Sequence, residues 1–197
     1  MRSPRTPLDG GWPLVVGGLL APALAFALLA GAVVVTPRLE WDQDLLGVVP
    51  DAAARDALLA PATYAALLVM ATVPVFLLVA RRGRDALFWS LGIGGVLVLD
   101  PVLKHAFRRP PIDGEHGVYS FPSGSAMLAM AAASAAVLLA RSSRRRVALL
   151  LIGSLAVFAY GLALVAARWH YPSDVVGGWA FALAWVSGVR LALLARV

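Results

Sequence analysis

The chain contains no cysteine and few charged residues. Without thiols, the sequence excludes disulfides, thiolate metal sites and a cysteine nucleophile. Charged residues make up 14% and hydrophobic residues 60% of the 197 positions, whereas soluble proteins contain about 25% charged and roughly 45–50% apolar residues. A soluble fold of this composition would have too few polar side chains for its surface. The sequence therefore predicts a membrane protein whose chemistry depends on histidine, serine, aspartate, arginine and lysine.

Six apolar runs have lengths near the roughly 20 residues that span a bilayer. They cover residues 14–35, 62–80, 86–103, 126–140, 147–167 and 175–194, and the fourth is short unless its helix covers residues 122–140. These runs predict an all-α fold, a polytopic bundle of six transmembrane helices in a single membrane domain over residues 1–197. The fourth run reaches full length only if its helix starts at Pro122 or Ser123. Segment 36–61 is expected outside the cytoplasm, with a short amphipathic helix around residues 51–59.

The basic residues predict the orientation of the chain. If the N-terminus is cytoplasmic, eleven arginines and two aspartates lie on the cytoplasmic side, whereas six basic and nine acidic residues lie outside. We therefore expect a protein of the plasma membrane with both termini in the cytoplasm. A cleaved signal peptide is the alternative interpretation of the first run, since Arg2 and Arg5 precede it. Its apolar part is longer than the roughly 7 to 15 residues of a signal core, which favours a retained helix.

Three polar clusters, at residues 104–110, 121–125 and 168–174, lie on the outer side in this topology. Ionisable groups at membrane depth are costly, so their collection at one rim indicates function. Snorkelling of lysine and arginine side chains would explain one such cluster but not three. The net charge of +6 does not indicate nucleic-acid binding, because no basic face with interleaved aromatic residues is present.

Each cluster has a chemical interpretation. Ser123 and Gly124 at a helix start would let an anion reach free backbone N–H groups at the positive end of the helix dipole. The first cluster supplies the basic side chains that phosphate oxygens accept, namely Lys104, Arg108 and Arg109. In the third cluster, His170 and Asp174 are four residues apart, a spacing that lets a carboxylate orient an imidazole. An imidazole oriented in this way can attack phosphorus.

In this order the clusters resemble the three signature motifs of the type 2 phosphatidic acid phosphatase superfamily, which includes lipid phosphatases, glucose-6-phosphatase and vanadium haloperoxidases. The most specific part is His-Tyr-Pro-Ser-Asp followed by Val-Val-Gly-Gly. The resemblance implies a six-helix bundle and a phosphohistidine formed without a metal ion or other cofactor. It implies Lys104 as the first-motif lysine, Ser123 and Gly124 as the phosphate-binding pair, His170 as nucleophile and Asp174 as its orienting carboxylate.

Three positions depart from the family pattern. Pro111 stands where the family has a phosphate-binding arginine, Ser125 where it has the histidine that protonates the leaving group, and Leu164 where it has a second arginine. Two explanations are consistent with these changes. Either the site is rebuilt from shifted residues, with His116 or His105 as the acid, or the chain has lost turnover and keeps only its affinity for a lipid phosphate.

We expect activity, because losing a general acid costs about 10² to 10⁴-fold in rate and a diphosphate leaving group tolerates that loss. The predicted function is hydrolysis of a lipid phosphate or lipid pyrophosphate at the extracytoplasmic face of a bacterial membrane. A lipid-phosphate binding or envelope-assembly subunit, a phosphotransferase, and a homo-oligomer of the chain are left open. The predicted catalytic residues are His170, Asp174 and His116. The predicted phosphate-binding residues are Lys104, Arg108, Arg109, Ser123, Gly124, Ser125 and Arg168.

Overall fold

The computed structural model describes residues 12–49, 56–112 and 118–195, and within these ranges the chain is helical with no strand. These described ranges contain seven helices: α1 (Trp12–Val35), α2 (Glu40–Val48), α3 (Asp56–Val79), α4 (Gly83–Phe107), α5 (Gly124–Leu139), α6 (Ser143–Ala166) and α7 (Pro172–Leu194). The all-α prediction is therefore confirmed for the described residues.

Four of these helices are long and apolar enough to cross a membrane: α1, α4, α6 and α7. In α3, Ala66–Val79 is an apolar stretch of 14 residues among those that the structure describes. Helix α5 has 16 residues, or about 24 Å at 1.5 Å per residue, which is shorter than the roughly 30 Å hydrocarbon layer. Six crossings therefore remain a prediction, although several apolar helices support a membrane protein.

The long helices run in alternate directions because short segments join them, at residues 80–82, 140–142 and 167–171. The end of α4 and the starts of α5 and α7 consequently meet at one end of the bundle, which we call the site end. The opposite end carries the arginine-rich turns, where Arg82 Nε lies 2.7 Å from Asp85 Oδ2 and Arg84 donates to Leu193 O.

The segment between α1 and α3 contains a short helix, α2, that was not predicted. The predicted amphipathic helix around residues 51–59 falls partly outside the described residues, and residues 56–59 form the first turn of α3. Helix α2 packs against α7 and buries Asp42 and Leu46. It thereby contributes an acidic side chain to the site end.

A close approach between α5 and α7 fixes the relative position of two predicted motifs. A Cβ atom built on Gly178 would lie 2.7 Å from Ser123 O, so a side chain at residue 178 would push α5 away. A small residue at a helix contact lets the backbones approach closely. Ser123 N also donates to Asp174 O at 3.0 Å. The starts of the two helices are therefore held directly against each other.

Candidate active site

The third cluster is arranged around the first turn of α7. Pro172 occupies the first turn, where its missing N–H costs nothing. Asp174 Oδ2 accepts the N–H of Tyr171 at 3.0 Å, so this carboxylate caps the helix that carries it. His170 lies just before α7 and is 9% exposed. The helix start therefore places the predicted nucleophile and its predicted orienting group side by side.

The His170 imidazole faces Asp174 at a distance longer than a hydrogen bond. Nδ1 lies 3.6 Å from Asp174 Oδ2, and this buried nitrogen has no hydrogen-bond partner within the described residues. The geometric upper range for such a bond is about 3.2 Å. Catalytic hydrogen bonds are often long in a ligand-free site and tighten when substrate binds. Asp174 is therefore placed to orient the His170 imidazole, although the two groups are not hydrogen-bonded in this structure.

Arg109 forms the centre of a buried ionic network. Its Nη1 donates to Asp174 Oδ1 and its Nη2 to Asp42 Oδ2, both at 2.6 Å. Its Nε donates to Pro37 O at 2.8 Å, and the guanidinium lies 4.0 Å from the centroid of the Tyr171 ring. All three charged side chains are 0% exposed. The placement of Arg109 does not match a phosphate ligand, because its donors are directed at protein acceptors within the core.

Asp42 joins α2 to the start of α7. Its Oδ1 accepts the backbone N–H of Ser173 at 2.8 Å, and its Oδ2 accepts the Ser173 hydroxyl at 2.6 Å. A carboxylate at a helix N-terminus satisfies orphan N–H groups and interacts favourably with the helix dipole. Asp42 and Arg109 therefore hold α7, and with it His170, in a defined position.

The second cluster begins α5. Ser123 is the N-cap residue, and its hydroxyl accepts the N–H of Ala126 at 3.3 Å. This hydroxyl is fully buried and its acceptor function is used inside the helix. The helix begins at Gly124, so the predicted start near residues 122–123 is close to the observed one. The backbone N–H groups of the first turn are the part of this motif that remains suited to an anion.

The carboxylate of Asp100 lies against this helix start. A Cβ atom built on Gly124 would lie 2.6 Å from Asp100 Oδ1, so glycine is required for the contact. Oδ2 lies 3.3 Å from Lys104 Nζ, one turn further along α4, with both side chains 25% exposed. Lys104 is therefore neutralised by an acidic neighbour, but it stays partly accessible.

A cavity of about 170 Å³ connects these groups. Its polar lining comes from α4, from the start of α5 and from His170, two residues before α7. The full lining is Val96, Leu97, Asp100, Lys104, Gly124, Ser125, Leu128 and His170. Four of the residues predicted from sequence thus share one cavity. Among the described residues, no three histidine, aspartate or glutamate side chains are grouped so that they could hold a metal ion.

The other predicted residues lie outside this lining. Arg108 is exposed to solvent. It is the residue that ends α4, and its backbone has the left-handed conformation with a φ of 50°. Arg168 is half-buried and donates to Val49 O at 3.2 Å. His105 is exposed, and its Nδ1 lies 2.7 Å from Pro101 O. His116 lies outside the described residues, and Leu164 is a fully buried core residue.

Sequence reasoning missed Asp42 and Asp100. Asp42 pairs with an arginine 67 residues later in the chain, and no local pattern indicates such a partner. For Asp100 a signal was present, because it precedes Lys104 by four residues in an apolar run, a spacing that places both on one helix face. Its position within an apolar segment was a second indication of function.

A family model for the PAP2 superfamily matches residues 86–196. The chain belongs to the PAP2 superfamily. The matched region contains all three clusters, and the predicted resemblance is confirmed. Members of this superfamily are generally phosphatases, which indicates activity on phosphate-bearing substrates. No curated protein and no solved structure matches the chain.

Proposed function

We propose that this PAP2 protein hydrolyses a lipid phosphate or lipid pyrophosphate through a phosphohistidine on His170. The observation that carries the proposal is the cavity in which His170, Lys104 and the first turn of α5 meet. It combines a nucleophile, a cation and a helix start that favours anions. These are the groups that phosphoryl transfer requires, since its catalysis is mostly positioning and charge stabilisation.

In the proposed reaction, a ring nitrogen of His170 attacks phosphorus and the bond to the leaving oxygen breaks. A lipid pyrophosphate then releases the lipid monophosphate, and a lipid monophosphate releases the lipid alcohol, whose oxygen takes a proton from water. Lys104 and the N–H groups of Gly124 and Ser125 hold the phosphoryl oxygens. Asp174 stabilises the positive imidazole that forms. Water then attacks phosphorus, the phosphorus–nitrogen bond breaks, and inorganic phosphate leaves. No step needs a metal ion or another cofactor.

An apolar groove next to the cavity supports a lipid substrate. It has a volume of about 270 Å³, lies between α3, α5 and α6, and shares Ser125 and Leu128 with the cavity. Its polar members include Thr63 and Tyr160, whose hydroxyl oxygens lie 2.7 Å apart and bridge α3 to α6. A phosphate in the cavity would therefore place an attached apolar chain in the groove, where burial from water is favourable.

We also propose that the site end faces away from the cytoplasm. The arginine-rich turns lie at the opposite end, and basic residues flanking membrane spans favour the cytoplasmic side. The absence of cysteine makes single-cysteine labelling clean. Val118→Cys, at an exposed position of the site end, should react with an impermeant maleimide in intact cells, and Arg144→Cys should react only after lysis. The reverse pattern would contradict this orientation.

Purified protein in detergent tests the phosphatase proposal. Prenyl and glyceryl monophosphates and pyrophosphates are incubated with the protein, with and without a chelator, and released phosphate is measured. We expect release that the chelator does not reduce, and no release by His170→Ala. The control is Asp85→Asn, which changes a partly exposed ion pair at the opposite end and should retain the wild-type rate. Undiminished release by His170→Ala would exclude His170 as the nucleophile.

A second candidate function is binding of a lipid phosphate without turnover. The burial of Arg109 favours it, because this placement leaves Lys104 as the basic side chain lining the cavity, and the family histidine is absent at Ser125. In that case the purified protein would bind a lipid phosphate in equilibrium measurements, Lys104→Met would weaken the binding, and no phosphate would be released from any member of the panel.

A further inference from the structure

We infer that Asp100 is a further catalytic residue, the general base that activates the water hydrolysing the phosphohistidine. This inference rests on the proposed function. Asp100 does not belong to the motifs that suggested the family, and it is one turn before Lys104 on α4. It would take over proton transfer in a chain whose second motif ends in Ser125 instead of histidine.

The first support is the unused hydrogen-bonding capacity of Asp100. Its Oδ1 is buried and has no hydrogen-bond partner among the described residues, while its Oδ2 faces Lys104 Nζ at 3.3 Å. A buried carboxylate oxygen without a partner is costly, so such an atom calls for a functional explanation. A water molecule in the adjoining cavity would supply the missing partner.

The second support is position. Oδ1 would lie 2.6 Å from a Cβ atom on Gly124, which puts the carboxylate beside the first turn of α5, where the phosphoryl oxygens are proposed to bind. His170 lines the same cavity. Asp100 is therefore next to the phosphoryl group once that group is attached to His170. A general base must be within hydrogen-bond reach of the proton that it removes.

The third support is that Asp42 and Asp174, the buried carboxylates of the described site end, are already engaged. Asp174 accepts from Arg109 and from the N–H of Tyr171. Asp42 accepts from Arg109 and from both the N–H and the hydroxyl of Ser173. Neither lines the cavity, whereas Asp100 does. The serine hydroxyl at residue 125 is too weak a base for this task.

In the proposed step, the Asp100 carboxylate accepts a proton from water while the water oxygen bonds to phosphorus. The phosphorus–nitrogen bond breaks, and its electron pair returns to the His170 ring. Inorganic phosphate leaves, and Asp100 then releases its proton to solvent. A carboxylate suits this role because its oxygens can accept a proton, and Oδ1 of Asp100 has no other partner among the described residues.

The experiment uses a prenyl pyrophosphate with a radioactive terminal phosphate and follows protein-bound label after rapid quenching under alkaline conditions. In Asp100→Asn, attack by His170 continues while hydrolysis of the intermediate slows. We expect turnover to fall by about 10² to 10⁴-fold, while label accumulates on the protein. Added formate, a small external base, should speed the loss of the label. Asp85→Asn should behave like the wild type.

Three outcomes would count against the inference. Wild-type turnover in Asp100→Asn would exclude Asp100 as the base and leave the proposed function intact. Loss of both labelling and turnover in Asp100→Asn, with normal labelling of the wild type, would instead show that Asp100 only positions Lys104. Absence of label and of phosphate release in the wild type itself would contradict the proposed function, and the base role with it.

Discussion

Two groups of oppositely charged side chains lie at the site end, and they differ in exposure and in distance. Arg109 lies 2.6 Å from both Asp42 and Asp174, and all three side chains are 0% exposed. Lys104 lies 3.3 Å from Asp100, and both side chains are 25% exposed. The first group, which we call the buried network, uses its hydrogen-bonding capacity internally. In the second group, which we call the cavity pair, Asp100 Oδ1 has no hydrogen-bond partner among the described residues, and both side chains line the cavity.

This difference indicates that the buried network stabilises the fold, whereas the cavity pair can interact with a substrate. A buried charge is tolerated only when it is paired and hydrogen-bonded, so the buried network cannot release Arg109 to a substrate without leaving two carboxylates unpaired. The cavity pair loses little when a phosphate competes for Lys104, because a partly exposed ion pair contributes only about 0 to 1 kcal/mol. Substitutions in the two groups should therefore affect different measurements.

The largest effect is expected from Arg109→Met. It leaves Asp42 and Asp174 buried without their shared cation, which typically destabilises a protein by about 3 to 5 kcal/mol. We expect a strongly lowered melting temperature in detergent together with loss of activity. Arg109→Lys should rescue little, since a single ammonium cannot reproduce the planar fork that contacts both carboxylates and Pro37 O.

A double-mutant cycle sharpens this test. Asp42→Asn alone removes one of the two charges that Arg109 neutralises, and residues in one network couple energetically. The destabilisation of Asp42→Asn combined with Arg109→Met should be smaller than the sum of the single effects. The matched control is Asp44→Asn, an exposed position on the same helix. Additive effects would show that Asp42 and Arg109 act independently.

The buried network also shows where sequence reasoning stops. The donors that suit two phosphate oxygens suit two carboxylates equally well, so the local sequence around Arg109 did not distinguish a ligand from a structural residue. Its distant partner Asp42 was visible only as one acidic residue of an outer segment. The structure settles the placement because it shows which acceptors the guanidinium contacts.

Other features could be predicted because they depend on local sequence. The apolar runs predicted the long helices, and the small polar residues at 123–125 predicted the start of α5, which is Gly124. The four-residue spacing of His170 and Asp174 predicted their proximity, and the structure has them 3.6 Å apart. His170 lies two residues before α7, so its relation to Asp174 depends on how the chain enters the helix, where Asp174 accepts the N–H of Tyr171. The contribution of α2 depends on packing between distant segments.

Lys104→Met should produce the next largest effect, on activity and not on stability. The pair with Asp100 is partly exposed, so we expect the melting temperature to change little. Loss of one preorganised charge at a transferring phosphoryl group should lower kcat by about 10² to 10³-fold. Arg145→Met, at an exposed position in the first turn of α6, is the control for loss of a positive charge. A large stability loss in Lys104→Met would remove the distinction between the two groups.

The smallest effect, and the only gain, is expected from Ser125→His. Ser125 is half-buried and lines both the cavity and the apolar groove, so an imidazole at this position lies where the leaving oxygen of a lipid phosphate would be. A monophosphate needs a proton on its leaving oxygen in the transition state, whereas a pyrophosphate does not. Turnover should therefore rise for a lipid monophosphate and change little for a lipid pyrophosphate.

The competing hypothesis is that His116 already supplies this proton. In that case Ser125→His would change neither rate, and His116→Ala would slow monophosphate hydrolysis by about 10²-fold or more. Measuring both variants on both substrates separates the hypotheses, because each predicts a change in only one variant. If Lys104 binds the phosphoryl group, the gain in Ser125→His should also require Lys104. A donated proton speeds the reaction only when the phosphoryl group is held in place. The double variant with Lys104→Met should then show no gain over Lys104→Met alone.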